Sequence, residues 1–163
     1  MKIVIAGDNH GEKDSLKKIV NKEPNTDLFL HTGDSLLLDY ELTPFVSVKG
    51  NCDYLQDYPE SRTIKTPIGK LLITHGHLLY KYNLRYLKEN EIKIFVTGHT
   101  HIHKAYYVDN ILFINPGSID FPRDGIDGTY AVLNISETDI QYKFKTLFDD
   151  NVCLLYTSDA ADD

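Results

Sequence analysis

The stretch Lys2–Gly11, "KIVIAGDNHG", decides how the chain is read. Its first half is a short β-rich apolar run, the length of one buried strand, and it stops at Gly7. Its second half sets Asp8 and His10 two residues apart directly after that glycine. In an extended segment, positions i and i+2 project to the same side, so such a pair can grip one ion. "EKDSLKKIVNKE" (Glu12–Glu23) follows, with Leu16, Ile19 and Val20 at helical spacing and Pro24 as a stop. "TDLFLHTGD" (Thr26–Asp34) is the next strand, which makes the opening a βαβ unit with a parallel pair.

Working outward, "FVSVKGN" (Phe45–Asn51) reads as a third strand and "RTIKTPIGKLLITHGH" (Arg62–His77) as a hairpin turning at Pro67-Ile68-Gly69. A helix is expected over Tyr82–Asn90 and a strand over "KIFVTGHTH" (Lys93–His101). The remainder is β-rich: "KAYYVDNILFINPGS" turns at Asp109-Asn110, and "GTYAVLNISETDIQYKFKTL" turns near Glu137. Alternating α/β first and all-β later, without repeat or linker, predicts one domain of two packed sheets with helices outside.

Composition narrows the function classes. The 163 residues, 42% hydrophobic and 25% charged, fit a single globular domain with a full core. A formal net charge of −7 argues against general nucleic-acid binding and against an anionic membrane as partner. Two distant cysteines imply no disulfide framework and place the chain in a reducing cytoplasm. The opening apolar run is too short for a signal peptide, and no run reaches transmembrane length. "CLLYTSDAADD" (Cys153–Asp163) matches the translation of a transposase-adapter sequence used in DNA library preparation. The domain is therefore expected over 1–152, with 153–163 set aside as a non-native tail.

Five apolar runs end alike: Gly7-Asp8, Gly33-Asp34, Gly50-Asn51, His75-Gly76 and Gly98-His99. Strand C-termini are where α/β sheets bind ligands, and two of the runs add a second candidate to give Asp8-x-His10 and His99-x-His101. One such element alone is usually a turn or a hydrogen-bonded histidine; five in order, each at a strand end, point to a metal centre.

"DNH", "GD", "GNCD", "HGH" and "GHTH", followed by "NPGSIDFPR" (Asn115–Arg123), together resemble the signature of the calcineurin-like metallophosphoesterases, and specifically their small YfcE-type phosphodiesterases. The resemblance runs over roughly Met1 to Leu147. It implies a four-layer αββα sandwich and two divalent ions per chain. Asp8, His10, Asp34 and His101 would bind one ion, and Asp34, Asn51, His75 and His99 the other, with Asp34 bridging. Mn²⁺ is the expected metal; Fe²⁺, Co²⁺, Ni²⁺ and Zn²⁺ also suit mixed oxygen and nitrogen ligation. The implied reaction is hydrolysis of a small phosphodiester by a metal-bridging hydroxide, with Asp34, Asn51 and His77 as catalytic residues.

Many relatives carry a histidine where this chain has Cys52. "GNCDYLQDYP" lacks the arginine and anion-cradling character of a phosphatase thiolate loop, so Cys52 reads as an inert residue at the rim. Asp53 would then cap the following turn. His77, two residues beyond His75, is the candidate proton donor, and His103 is either a donor or solvent-exposed. Arg123 is a candidate phosphate contact. His31 reads as a supporting residue for the Gly33-Asp34 turn. The rivals are a phosphomonoesterase of the same fold, which Cys52 argues against, and a non-catalytic protein-binding scaffold like the retromer subunit that shares the fold. Dimers occur in such families, and nothing here specifies an interface.

Overall fold

The computed structural model describes residues 1–124 and 127–148 and the strand Val152–Asp159. Two sheets face each other. The first contains β1 (Lys2–Ala6), β2 (Leu28–His31), β3 (Phe45–Ser47), β9 (Thr129–Ile135), β10 (Asp139–Thr146) and β11 (Val152–Asp159) in the order β11-β10-β9-β1-β2-β3. The second contains β4 (Ser61–Thr66), β5 (Gly69–Thr74), β6 (Ile92–Val96), β7 (His103–Val108) and β8 (Ile111–Pro116) in the order β4-β5-β6-β8-β7. Both are mixed. β1, β2 and β3 run parallel in one, and β5, β6 and β8 run parallel in the other.

Strand periodicity sorts the side chains into layers. On β1, Ile3 and Ile5 enter the core between the sheets, while Val4 and Ala6 face the other way, toward α1 (Asp14–Lys22). On β5 and β6, Leu71, Ile73, Ile94 and Val96 join the same central core. Leu72 and Phe95 turn outward to meet Leu87 of α3 (Leu84–Glu89). Helix, sheet, sheet, helix is thus the layer order, with short helices; α2 (Asp39–Leu42) is a single turn beside α1.

Element boundaries moved for local reasons. The helix expected from Tyr82 begins at Leu84, because the Asn83 side chain accepts the Tyr86 N–H (2.8 Å) and caps it there. Leu79–Lys81 forms a 3₁₀ turn instead. The β7–β8 connection does turn at Asp109-Asn110, whose φ values of 49° and 65° are those of a hairpin turn with both central residues left-handed. Strands expected to run to Asn51 and His101 stop at Ser47 and Val96, and the residues beyond build the site. All of β11 but Val152 comes from the adapter-like segment and runs antiparallel to β10, while residues 160–163 lie outside the described residues. No helix among the described residues is long and apolar enough to cross a membrane.

Glu23, just past α1 and 3% exposed, ties the helix to the first sheet. Its carboxylate accepts from the Tyr130 hydroxyl (2.6 Å) and the Lys145 ammonium (2.9 Å), and Lys2 lies 3.2 Å away. Burial pushes this carboxyl up, but the Tyr130 and Lys145 hydrogen bonds outweigh it and hold it below the ordinary value. A carboxylate depressed in the folded state contributes stability above its unfolded pKa, and that contribution is lost as pH falls through the folded pKa. Glu23→Gln should cost about 1–3 kcal/mol in urea denaturation at pH 7, with the gap to the parent narrowing below about pH 4.5. Superimposable curves at pH 7 would contradict this role.

Candidate metal centre

The parallel strands of both sheets point their C-terminal ends to one edge of the sandwich, where Asp8, Asp34, Asn51, His75 and His99 follow β1, β2, β3, β5 and β6. The structure brings all seven candidate ligands together there. Asp8, His10 and His101 form one group and Asp34, His75 and His99 another, each with donor atoms within 4.8 Å of one another. His10 links them: its Nε2 lies 3.3 Å from His101 Nε2 and 3.8 Å from Asp34 Oδ2.

Around Asp34, His75 Nε2 lies 3.3 Å from Asp34 Oδ2, 2.9 Å from Asn51 Oδ1 and 3.2 Å from His99 Nδ1. His99 Nδ1 is 3.1 Å from Asn51 Oδ1. Atoms about 2.0–2.2 Å from a shared ion would lie about 3.0–3.5 Å apart, so this spacing fits one. Tautomers agree. His75 Nδ1–H donates to the Thr32 carbonyl (2.8 Å) and His101 Nδ1–H to the Phe121 carbonyl (2.8 Å), which turns a lone pair on each Nε2 inward. Asp8 Oδ1 is buried with no hydrogen-bond partner, while Asp8 Oδ2 accepts the His99 N–H at 3.0 Å. A buried carboxylate oxygen left this way calls for a cation. The donor set fits a divalent pair.

The two carboxyls differ. Burial raises Asp8 to about 7, against the pull of His75. Burial would also raise Asp34, but the His75 ring and the Cys52 amide outweigh it and hold Asp34 at about 2. Burial lowers the His75 imidazole, yet the Asp34 and Asp8 carboxylates more than reverse this and raise it.

The paired ligands are not extended as the sequence suggested. Asp8, His10, His99 and His101 have φ of 52°, 43°, 73° and 62°, and Asp34 has 54°. Left-handed backbone at each folds the chain back so that both members of a pair still reach inward. Between them, Asn9 is fully buried: it donates to the Glu12 carbonyl (2.6 Å) and accepts from His31 Nε2 (2.8 Å). His31 Nδ1 in turn accepts the Gly33 N–H (3.0 Å), and burial lowers its ring to about 3, so it stays neutral.

Asp53 does more than cap the next turn. Its carboxylate accepts the N–H groups of Asp34 (2.8 Å), Gly50 (2.8 Å) and Leu36 (3.1 Å). Gly50 is required for this approach, since a Cβ there would collide with Asp34. Cys52 sits closer than a rim position, with its sulfur grouped beside His10 and Asp34. Its main-chain N–H donates to Asp34 Oδ1 (2.8 Å), and burial and then Asp34 push the thiol pKa up, which makes it a poor nucleophile. Sequence reading missed Asn9, whose signal was a polar residue facing the interior between two candidates. It also missed the task of "NPGS": Ser118 Oγ donates to the Asp8 carbonyl (2.7 Å), and Asn115 donates to the Gly98 carbonyl (3.0 Å) and to Thr100 Oγ1 (3.1 Å).

Of the remaining candidates, His77 is half-buried, with its ring centroid 5.4 Å from that of His75 and 6.4 Å from that of His99. Its Nδ1 is buried without a partner. His103, read as a donor or a solvent-exposed residue, is half-buried: its Nδ1 pairs with Asp124 (2.7 Å) and its ring packs on Phe144. Arg123 is exposed; burial chiefly lowers His99 and His101 and raises Asp8, and the Arg123 charge adds to the first effect and partly offsets the second.

The family model for the calcineurin-like phosphoesterase superfamily domain matches residues 1–138. The chain belongs to that superfamily. It is 34% identical over 152 residues to the probable metallophosphoesterase YsnB of Bacillus subtilis, covering 88% of this chain and 90% of that protein. It is 32% identical over 97 residues to phosphodiesterase YfcE of Escherichia coli K12, covering 55% of this chain and 52% of that one. A solved structure from Streptococcus pneumoniae TIGR4, described as a predicted phosphoesterase, superposes with a TM-score of 0.85 at 30% identity over 97% of both chains. These relatives bear out the expected family and sandwich.

Cation uptake by this metallophosphoesterase chain should displace the proton that Asp8, its pKa raised to about 7 by burial, holds in part at neutral pH. Apparent affinity should therefore rise with pH from about 6 to 8, and calorimetric heats at pH 7 should depend on the buffer's ionisation enthalpy. Buffer-independent heats would mean the cation binds elsewhere.

Proposed function

We propose that the chain hydrolyses small phosphodiesters in a metal-dependent reaction at the Asp34 cluster, using two divalent ions, Mn²⁺ first among them. The observation that carries this reading is the convergence of Asp34 Oδ2, Asn51 Oδ1, His75 Nε2 and His99 Nδ1 beside the group of Asp8, His10 and His101. Likeness to a protein named a phosphodiesterase supports the substrate class. Bound divalent ions would supply a water of lowered pKa and neutralise charge on the phosphoryl oxygens.

The chain's own residues do the rest. Asp34 stands between the two groups, its other oxygen fixed by the Cys52 amide, so its position does not depend on substrate. Asn51 presents a neutral oxygen, which leaves net positive charge for an anionic diester. Arg123, whose field reaches Asp8, His99 and His101, meets the outer phosphoryl oxygens. His77, its pKa lowered by burial and by His75, protonates the leaving alkoxide from its imidazolium form, so this help grows as pH falls below neutral. The thiol of Cys52, its pKa pushed up by burial and by Asp34, is a weak acid, which favours diesters with good leaving groups. Residence in a reducing cytoplasm belongs to the same reading.

Chain stripped with chelator and reloaded with Mn²⁺ should cleave bis(p-nitrophenyl) phosphate faster than p-nitrophenyl phosphate. Asp34→Asn should reduce the diester rate by about 10²–10³-fold or more. His77→Gln should matter little with nitrophenolate leaving and by about 10²-fold or more with an alkoxide leaving. Turnover by no divalent ion from folded protein, or a faster monoester rate, would overturn the reading.

A further inference from the structure

Beside the metal centre, on the outer face of the second sheet, lies an open cleft of about 470 Å³. The segment His99–Ile102 serves both places. His99 and His101 turn to the metal centre, while Thr100 and Ile102 line the cleft. The Asn115 side chain pins that segment by donating to the Gly98 carbonyl and Thr100 Oγ1. Further out, the Tyr106 and Phe113 rings lie parallel, 13° apart with centroids at 5.2 Å, and Phe95 meets Phe113 edge-on. Tyr106 is 44% exposed, so this aromatic surface is open to solvent along the edge strand β7. Lys104 Nζ stands 5.1 Å over the Tyr106 ring. None of the described residues lining the cleft is acidic, although the chain carries a net charge of −7.

A flat aromatic wall with one cation beside it and no carboxylate suits a planar heteroaromatic ring attached to an anion. We propose that this cleft seats the nucleobase of one ester arm while the phosphate lies at the metal centre, which makes nucleotide diesters the substrate class. The inference rests on the hydrolase reading above. The base stacks on Tyr106 in the place Lys104 Nζ holds over the ring, and the displaced Lys104 meets the negative charge of the nucleotide.

Two measurements test it. Adenosine, which has no phosphate, is titrated into metal-free protein and followed by saturation-transfer NMR. The base protons should receive more transfer than the ribose protons, and Tyr106→Ala should weaken binding about tenfold while Tyr106→Phe retains it. Mn²⁺-loaded protein is then assayed on the p-nitrophenyl esters of thymidine 5′-phosphate and of methyl phosphate, which share a leaving group. The thymidine ester should lead in kcat/KM by about tenfold, and Tyr106→Ala should bring that ratio toward one. Equal rates on both esters, with no adenosine binding, would overturn the nucleobase seat and leave the hydrolase reading standing. Adenosine binding that Tyr106→Ala abolishes, without turnover of either ester, would keep the seat and overturn the hydrolase reading. A dimer that dissociates in Tyr106→Ala, with no adenosine binding by the parent, would overturn the seat by showing the cleft covered by a second copy.

Discussion

The buried carboxylate of Asp53 accepts the main-chain N–H groups of Asp34, Gly50 and Leu36, and so ties the loop after β2 to the loop after β3. The hydrogen bond from the Cys52 amide then fixes one oxygen of Asp34, which leaves Oδ2 facing His75 and His10. In the proposed two-ion centre Asp34 would be the shared ligand, and these hydrogen bonds hold its carboxylate in place ahead of any ion. The positions of His75, His99 and Asn51 gain meaning only from that oxygen. Asp53 reaches Asp34 only through its main-chain N–H, yet it sets where that carboxylate stands.

This order is held against backbone cost. Left-handed conformation is unfavourable by about 1–2 kcal/mol per non-glycine residue, and Asp8, His10, Asp34, His99 and His101 all adopt it. The sandwich core, continuous from Ile3 to Ile114 across the two sheets, anchors the strands these residues follow. Polar supports take over beyond the strands: His31 and Asn9 under the first loop, Thr32 behind His75, Ser118 and Asn115 behind Asp8 and Gly98. The strain sits where ligands must point inward from sharply turning chain, and the supporting groups lie directly behind it.

Much of this was legible in the sequence because metal chemistry restricts residue type. "DNH", "GD", "GN", "HGH" and "GHTH" could be read as ligands at strand ends, and each reached the same edge of the molecule. Strand periodicity also gave the layers, since Ile3 and Ile5 alternate with Val4 and Ala6. What escaped were the contacts made through main chain. Cys52 looked like a question about a thiol, and its clearest contribution is an amide, which every residue but proline can offer. Asp53 was expected to act locally, but it reaches nineteen positions back along the chain, a distance no local motif encodes. His103 pairs with Asp124, a contact visible only once β7 and the loop after β8 were placed together.

The most direct test of the shared Asp34 is electron paramagnetic resonance of the chain loaded with two equivalents of Mn²⁺. A carboxylate joining both ions predicts the broadened spectrum of an exchange-coupled pair, collapsing to isolated-ion signals in Asp34→Asn. Isolated-ion hyperfine lines from the parent chain at full loading would contradict a dinuclear centre built on Asp34.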